Sequence, residues 1–375
     1  MKIKKYSLPY SQKDVEYVRH HVTNVLKKGY LTDGGEYVGR FESEWAKIIN
    51  ADYSIAVNSC TTALEIILKC IGVDKASVVV PTYTFFATPL AAHLAGAKVI
   101  YADISKETLS LSLDSIKEVV QEDTRAVIVV HVGGIISNEI ISIRNWCDTR
   151  GIYLIEDAAC AHGASYKGIS AGNFGHYAAF SFHHSKILTC GEGGMIITKN
   201  KDSAIKIRKM RAIGLDRKIN NWEVFEIGNN YKMPELSAIL GLLHCNKSHE
   251  IFEERRKIAR FYDENIKFNN NIARLFIDIE SVSGYYKYVI MAKSQEYKKD
   301  FIKTLREKYE IDLPPTIYEY LCHEQKINNK INQAAASKFD NARHLMKHNI
   351  CLPMYCGLKE SELCYIVNSI NEASC

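Results

Sequence analysis

No two cysteines in the sequence stand in a C-x-x-C spacing, and its 11 cysteines, an odd number, form no regular framework. That excludes reading them as a disulfide scaffold. Most of them read instead as small buried apolar residues of a protein kept in a reducing compartment. No apolar run approaches the roughly 20 residues that cross a bilayer, and the opening MKIKKYSLPYSQKD carries charge without the apolar core of a signal peptide. A cytoplasmic protein with no membrane association is expected. Basic residues do not form blocks, and no basic cluster interleaved with aromatics stands out, which argues against a nucleic-acid partner. The mild surplus of 48 Lys+Arg over 43 Asp+Glu, a formal net charge of +5, fits a small anionic substrate better. Internal repeats and low-complexity linkers are absent as well.

What the chain does have is length and a regular texture. Its 375 residues, 47% hydrophobic and 24% charged, suit a soluble globular protein of two domains. Val15, Val18, Val22 and Leu26 predict an amphipathic helix over 11–28. Phe41, Trp45 and Ile48 continue helical spacing after a glycine-rich stretch, GYLTDGGEYVGRFE. From Tyr53 onward, short runs that are apolar throughout (SIAVNS, SVVVPTYT, AKVIYADI, AVIVVHVGG, IYLIEDAA) alternate with helical segments. Such strands indicate a mainly parallel sheet covered on both faces. The expected fold class is therefore α/β, with a large domain at 1–245 and a smaller α+β domain at 246–375. One long helix is predicted from Pro234 to about Asn265, followed by strands in RLFIDI and YYKYVIMA and late helices near 339–347 and 359–372.

Chemistry concentrates between Ile155 and Met195. Asp157 ends an apolar strand, where an unpaired carboxylate is costly and needs a partner. Lys186 lies between the run SFHHS and the turn GEGG, whose glycines permit a tight return into a strand. A lysine that can form a Schiff base with an aldehyde, and an aspartate that can keep a ring nitrogen protonated, are the pair that pyridoxal phosphate chemistry needs. Ser59, Cys60, Thr61 and Thr62 stand at a strand-to-helix turn suited to a phosphate, although Ser59 equally reads as a plain N-cap. Ser181 offers a second phosphate hydroxyl. Phe85, just past a strand end, reads either as a ring-stacking aromatic or as core. His162 reads as a cofactor or substrate contact or as a satisfied core histidine. His183 and His184 lack a nearby acidic or cysteine ligand set, so no metal is expected.

The segments NSCTTALEI, PTYTFFAT, IEDAACAHGA, FSFHHSKILTCGEGGMIIT, EIGNNYKMPELSAILG and CLPMY resemble, in order and spacing, the DegT/StrS family of sugar aminotransferases over essentially the whole chain. The resemblance implies the pyridoxal-phosphate-dependent transferase fold of type I, a homodimer with active sites shared between subunits, and transfer of an amino group from L-glutamate to a keto sugar carried on a nucleotide. On that resemblance Lys186 is the Schiff-base lysine and Asp157 the pyridinium partner. Phe85 stacks on the ring, Thr61, Thr62 and Ser181 hold the phosphate with Ser59 and Cys60 beside them, and Asn230 reaches the phosphate from the neighbouring subunit. Cys160 and His162 fall among the cofactor contacts, and Tyr30, Thr32, His183, Tyr318 and His323 among the expected substrate contacts.

The chain also departs from the family pattern. Cys60 replaces a common glycine, Cys160 a common glutamine, and Lys232 a usual arginine, the last losing bidentate geometry. The changes at Cys60 and Cys160, with the C-terminal stretch PPTIYEYLCHEQ, leave open an alternative acceptor, a smaller phosphorylated ketone or a keto-sugar acid. A non-catalytic cofactor-binding regulator is disfavoured because Lys186 and Asp157 are both present.

Overall fold

We describe the chain from a computed structural model over residues 1–7, 10–32, 35–216, 222–328 and 338–374. It runs α1 (Gln12–Lys28), α2 (Tyr37–Ile49), β1 (Tyr53–Val57), α3 (Cys60–Cys70), β2 (Ser77–Pro81), α4 (Ala87–Leu94), β3 (Lys98–Ala102), α5 (Leu113–Val119), β4 (Thr124–Val130), α6 (Ile140–Asp148) and β5 (Tyr153–Asp157). Two short strands, β6 (Ser165–Tyr166) and β7 (Ile169–Ser170), precede β8 (Tyr177–Ser181), β9 (Gly194–Thr198), α7 (Lys201–Arg211), α8 (Glu235–Asn246) and α9 (Ser248–Asn265). The remainder is β10 (Ile272–Arg274), β11 (Ser281–Val282), β12 (Tyr288–Ala292), α10 (Gln295–Glu307), α11 (Asp340–His348), β13 (Asn349–Leu352) and α12 (Glu360–Ala373). No helix among the described residues is long and apolar enough to cross a membrane.

Seven strands form one sheet in the order β1-β9-β8-β5-β4-β2-β3. All neighbours pair in parallel except those of β9, which runs against both β1 and β8. The continuous apolar strands have a direct explanation, because successive residues enter two different cores. Ile55, Val57, Val78, Val80 and Ile128 pack with α3 and α4 on one face, while Ala56, Val79, Val127 and Val129 pack with α2, α6 and α8 on the other. A third core gathers Ile258, Tyr262, Ile290, Phe301, Leu305, Ile350 and Ile366 around the sheet β10-β12-β13. Ile3, from the other end of the chain, belongs to this third core and bridges to Ile311.

Three local expectations change. The predicted long helix after Pro234 is two helices broken at Lys247. α8 buries Ala238, Ile239 and Leu242 in the second core, and α9 buries Ile258, Ala259 and Tyr262 in the third. A single straight axis does not serve both cores. In RLFIDI only the first residue, Arg274, pairs in a strand, at the end of β10, and the last, Ile279, is exposed. α1 has the predicted span, but its buried positions are Asp14 and Val25, with Val15 and Leu26 exposed. Its contact face is rotated toward the Asp14 to Lys247 ion pair, 2.9 Å, that ties it to the α8–α9 junction.

Candidate active site

The carboxyl ends of the parallel strands open into one cleft of about 1030 Å³. Such crevices are where open α/β sheets bind ligands. Asp157 is the last residue of β5, and its position is fixed from behind by its neighbour. Glu156, fully buried, accepts the N–H groups of Gly172, Phe174 and Gly175 at 2.8, 2.8 and 2.6 Å, and pairs with His131 Nε2 at 2.9 Å. With Glu156 turned to one face of the sheet, alternation along the strand turns Asp157 to the other, into the cleft. There Thr88 Oγ1 donates to Asp157 Oδ2 at 2.7 Å and the Ala159 N–H to Oδ1 at 3.1 Å. Burial pushes the Asp157 carboxyl above its usual range, and Thr88, Ala159 and Lys186 draw it back only in part. A site of this kind stabilises a cation placed against the carboxylate.

Lys186 lies in a loop closed by bonds from Cys190 N–H to Phe182 O, 2.9 Å, and from Phe182 N–H to Gly193 O, 2.8 Å. Its amine donates to Cys160 Sγ at 3.3 Å and sits 4.7 Å from the centre of the Tyr286 ring. Burial disfavours its charge, but Cys160 and Tyr286 outweigh burial and hold the amine above the ordinary lysine range. Lys186 and Asp157 therefore line the same cleft from the two loops where the sequence places them.

At the third corner, α3 begins. Ser59 is its N-cap, accepting Thr62 N–H at 3.1 Å. Ala63 N–H returns to Ser59 O, which leaves the first N–H groups of the helix, those of Cys60 and Thr61, at its open N-terminal end. Gly194 on β9 runs so close behind this turn that a Cβ there would overlap the Ser59 carbonyl. Ser181 ends β8 beside it, and Phe85 stands at the mouth, 60% exposed.

The structure brings Ser59, Cys60, Thr61, Phe85, Asp157, Cys160, Ser181, His183, Lys186 and Tyr318 to one cleft. Thr62 stands one residue behind, its hydroxyl bonded to Asn58 Oδ1 at 2.6 Å. His162 is elsewhere. It is fully buried among Trp45, Phe180 and Phe182, neither ring nitrogen has a hydrogen-bond partner, and burial, aided by Lys186, holds its pKa down at about 3. It is buried in the core as one of its two readings expects, but not as a satisfied histidine. His323 does not reach the cleft either: it bonds Thr82 Oγ1 at 2.6 Å and packs on Phe339. Tyr30, Thr32 and Asn230 are exposed and outside the cleft of their own chain. Asp33 and Gly34, in the glycine-rich stretch, lie outside the described residues.

Several cleft residues were not legible in the sequence. Thr88 lies on the first turn of α4, within a stretch singled out for its aromatics. Tyr286 and Arg255 come from segments about 100 and 70 residues beyond Lys186, with no motif to mark them. Tyr6 arrives from the N-terminus, where its hydroxyl donates to His184 O at 2.8 Å.

Known proteins resemble the chain over nearly its whole length. The model of the DegT/DnrJ/EryC1/StrS aminotransferase family matches residues 12–371. The GDP-perosamine synthase of Vibrio cholerae is 28% identical over 359 residues, covering 94% of this chain and 95% of that protein. The UDP-4-amino-4,6-dideoxy-N-acetyl-beta-L-altrosamine transaminase of Campylobacter jejuni is 29% identical over 344 residues, covering 89% and 88%. Among solved structures, Helicobacter pylori PseC, an aminotransferase involved in the biosynthesis of pseudoaminic acid, has a TM-score of 0.89 at 22% identity, covering 100% of this chain and 99% of that one. With a family match over nearly all of its length and a cleft lined by both a lysine and a buried aspartate, the chain belongs to the DegT/DnrJ/EryC1/StrS aminotransferase family and is a pyridoxal-phosphate-dependent aminotransferase.

Proposed function

We propose that this enzyme moves an amino group from L-glutamate to a keto-deoxysugar linked to a nucleotide, in the making of an amino sugar for a surface polysaccharide. The observation that carries the proposal is that Lys186 and Asp157 face one cleft of about 1030 Å³. That volume lies at the upper end of ordinary small-molecule sites and leaves room for a substrate much larger than a bare ketone. The relatives named for GDP- and UDP-linked sugars support the substrate class and leave the nucleotide base open.

The residues present fit the cofactor. Asp157, buried and short of positive charge, suits a protonated pyridine nitrogen. The N-terminus of α3 with Thr61, and the Ser181 hydroxyl, suit its phosphate, and Phe85 offers a flat face at the mouth. Pyridoxal phosphate, when bound, supplies the aldehyde that takes up the amino group and the ring that accepts an electron pair. In this reading Asp157 holds the proton on the ring nitrogen. Lys186 would be the group that takes the α-proton of the donor and holds it for return.

We also propose that 1–245 and 246–375 form two domains, with Ile3 crossing into the core of the second, and that two copies share their sites. Asn230 is exposed and does not line its own cleft, and exposed Trp222 (85%) and Ile227 (91%) precede it in sequence, apolar side chains that a second copy would cover. The test is a reverse-direction screen of amino-sugar nucleotides, free amino sugars and small phosphorylated amines, following glutamate formed from 2-oxoglutarate. Activity confined to the nucleotide-linked compounds supports the proposal, and activity on the small amines alone refutes it.

A further inference from the structure

If Lys186 is the cofactor-bonding lysine, its amine must also have a place when the donor has displaced it. A free ammonium in this cleft has lost much of its hydration and needs compensation. The groups that face it are Cys160, Tyr286 and Cys60, with Asp157, His162 and His183 near enough to feel its charge. Tyr286 alone among the first three presents an electron-rich face, with the amine 4.7 Å from the ring centre. The same ring has Lys287 Nζ at 5.5 Å. Such a face attracts a cation without having to ionise.

The backbone that carries this ring is tied down from two sides. Arg255, buried, donates from Nε and Nη2 to Tyr285 O at 3.0 and 2.7 Å, and from Nη2 to Tyr286 O at 3.2 Å and Met354 O at 3.0 Å. From the other side, Gly284 N–H and Lys287 N–H bond Gly134 O and Gly133 O at 3.0 and 3.2 Å. Gly134, at φ +90°, leaves no room for a Cβ, which would stand 2.9 Å from Cys160 O and 3.2 Å from Tyr286 N. One glycine turn thus sets Cys160 and Tyr286 relative to each other, and both touch the same amine.

We infer that Tyr286 is a positioning residue for catalysis, holding the freed Lys186 amine as an ammonium against its ring with the Cys160 thiol beside it. The lysine then keeps the proton it has taken from the donor, in place to return it. This rests on the reading of Lys186 given above.

The experiment uses the full-length enzyme loaded with pyridoxamine phosphate, in which the lysine is free. Lys186 is labelled with acetic anhydride across a pH series and quantified by peptide mass spectrometry in wild type, Tyr286→Phe and Tyr286→Leu. We expect Phe to keep the wild-type midpoint and Leu to lower it by roughly half to one pH unit, giving about 3- to 10-fold faster labelling at a fixed pH below it. Equal midpoints in Leu and wild type overturn the inference, as does a fall in Phe as large as that in Leu. If the Leu protein does not fold, Tyr286→Met takes its place with the same expectation. Borohydride reduction of the pyridoxal phosphate form, with peptide mapping, separates the two levels. Cofactor mass on a peptide other than that of Lys186 removes the underlying reading, whereas mass on Lys186 with an unchanged Leu midpoint removes only the role of Tyr286.

Discussion

Thr88→Val perturbs the site at its most sensitive contact. The Thr88 hydroxyl donates to the buried Asp157 carboxylate at 2.7 Å and meets the Thr84 hydroxyl at 3.0 Å, so valine of nearly the same shape removes a charge-assisted hydrogen bond without opening a cavity. A bond of that kind contributes about 2 kcal/mol, against about 1 kcal/mol for a neutral one. Because burial already raises the Asp157 carboxyl above the usual range, its charged form is disfavoured in the fold. That penalty is present above the folded-state pKa and is relieved as pH falls through it. Removing Thr88 enlarges the penalty. The loss in unfolding free energy of the cofactor-free protein should therefore be about 2 kcal/mol at pH 8 and should shrink toward about 1 kcal/mol in acid, where Asp157 is neutral. Urea unfolding across the pH range measures it. The Thr84→Val/Thr88→Val double variant removes the pH-independent part that comes from stranding the Thr84 hydroxyl, and in an Asp157→Asn background the cost should be small and flat with pH. A loss that is the same at every pH, or below about 0.5 kcal/mol at pH 8, refutes the reasoning.

Three other outcomes follow from the same geometry. Pyridoxal phosphate affinity in wild type should weaken on the acid side as Asp157 takes up a proton, and in Thr88→Val that weakening should begin at higher pH; spectroscopic titration of the bound cofactor reads both. Gly194→Ala drives a methyl group into the Ser59 carbonyl, so it should cost roughly 1–3 kcal/mol of stability and loosen phosphate binding, while a variant with unchanged melting temperature and cofactor affinity would show that the turn yields freely. Mixing Lys186→Ala with Asn230→Ala subunits after unfolding and refolding should restore up to about a quarter of wild-type activity if the site is shared across a two-fold dimer; no recovery from two folded, inactive partners counts against sharing.

Much of this architecture was legible from local chemistry. Strands such as SVVVP and AVIVV are apolar at every position because both faces of the sheet are covered, and that pattern survives without knowledge of what covers them. Asp157 at the end of β5 and Lys186 before the GEGG turn were legible for a similar reason, since each is placed by the few residues that flank it. His162 was not, because a buried neutral imidazole and a ligand-facing one have the same sequence neighbours. Only the ring of Trp45, Phe180 and Phe182 distinguishes them.

By itself, then, the sequence determined the α/β class, the placing of Asp157 at a strand end and of Lys186 in the loop before the GEGG turn, and the N-capped turn at Ser59, all of which are short-range consequences of periodicity, glycine and capping. The tertiary structure alone decided that α8 and α9 break at Lys247 to serve two cores. It also decided that Thr88 bonds Asp157 across 69 positions and that Tyr286, 100 positions from Lys186, faces its amine. Contacts between residues so far apart in the chain are set by how the cores pack, and packing leaves no periodic trace in the residues that happen to meet.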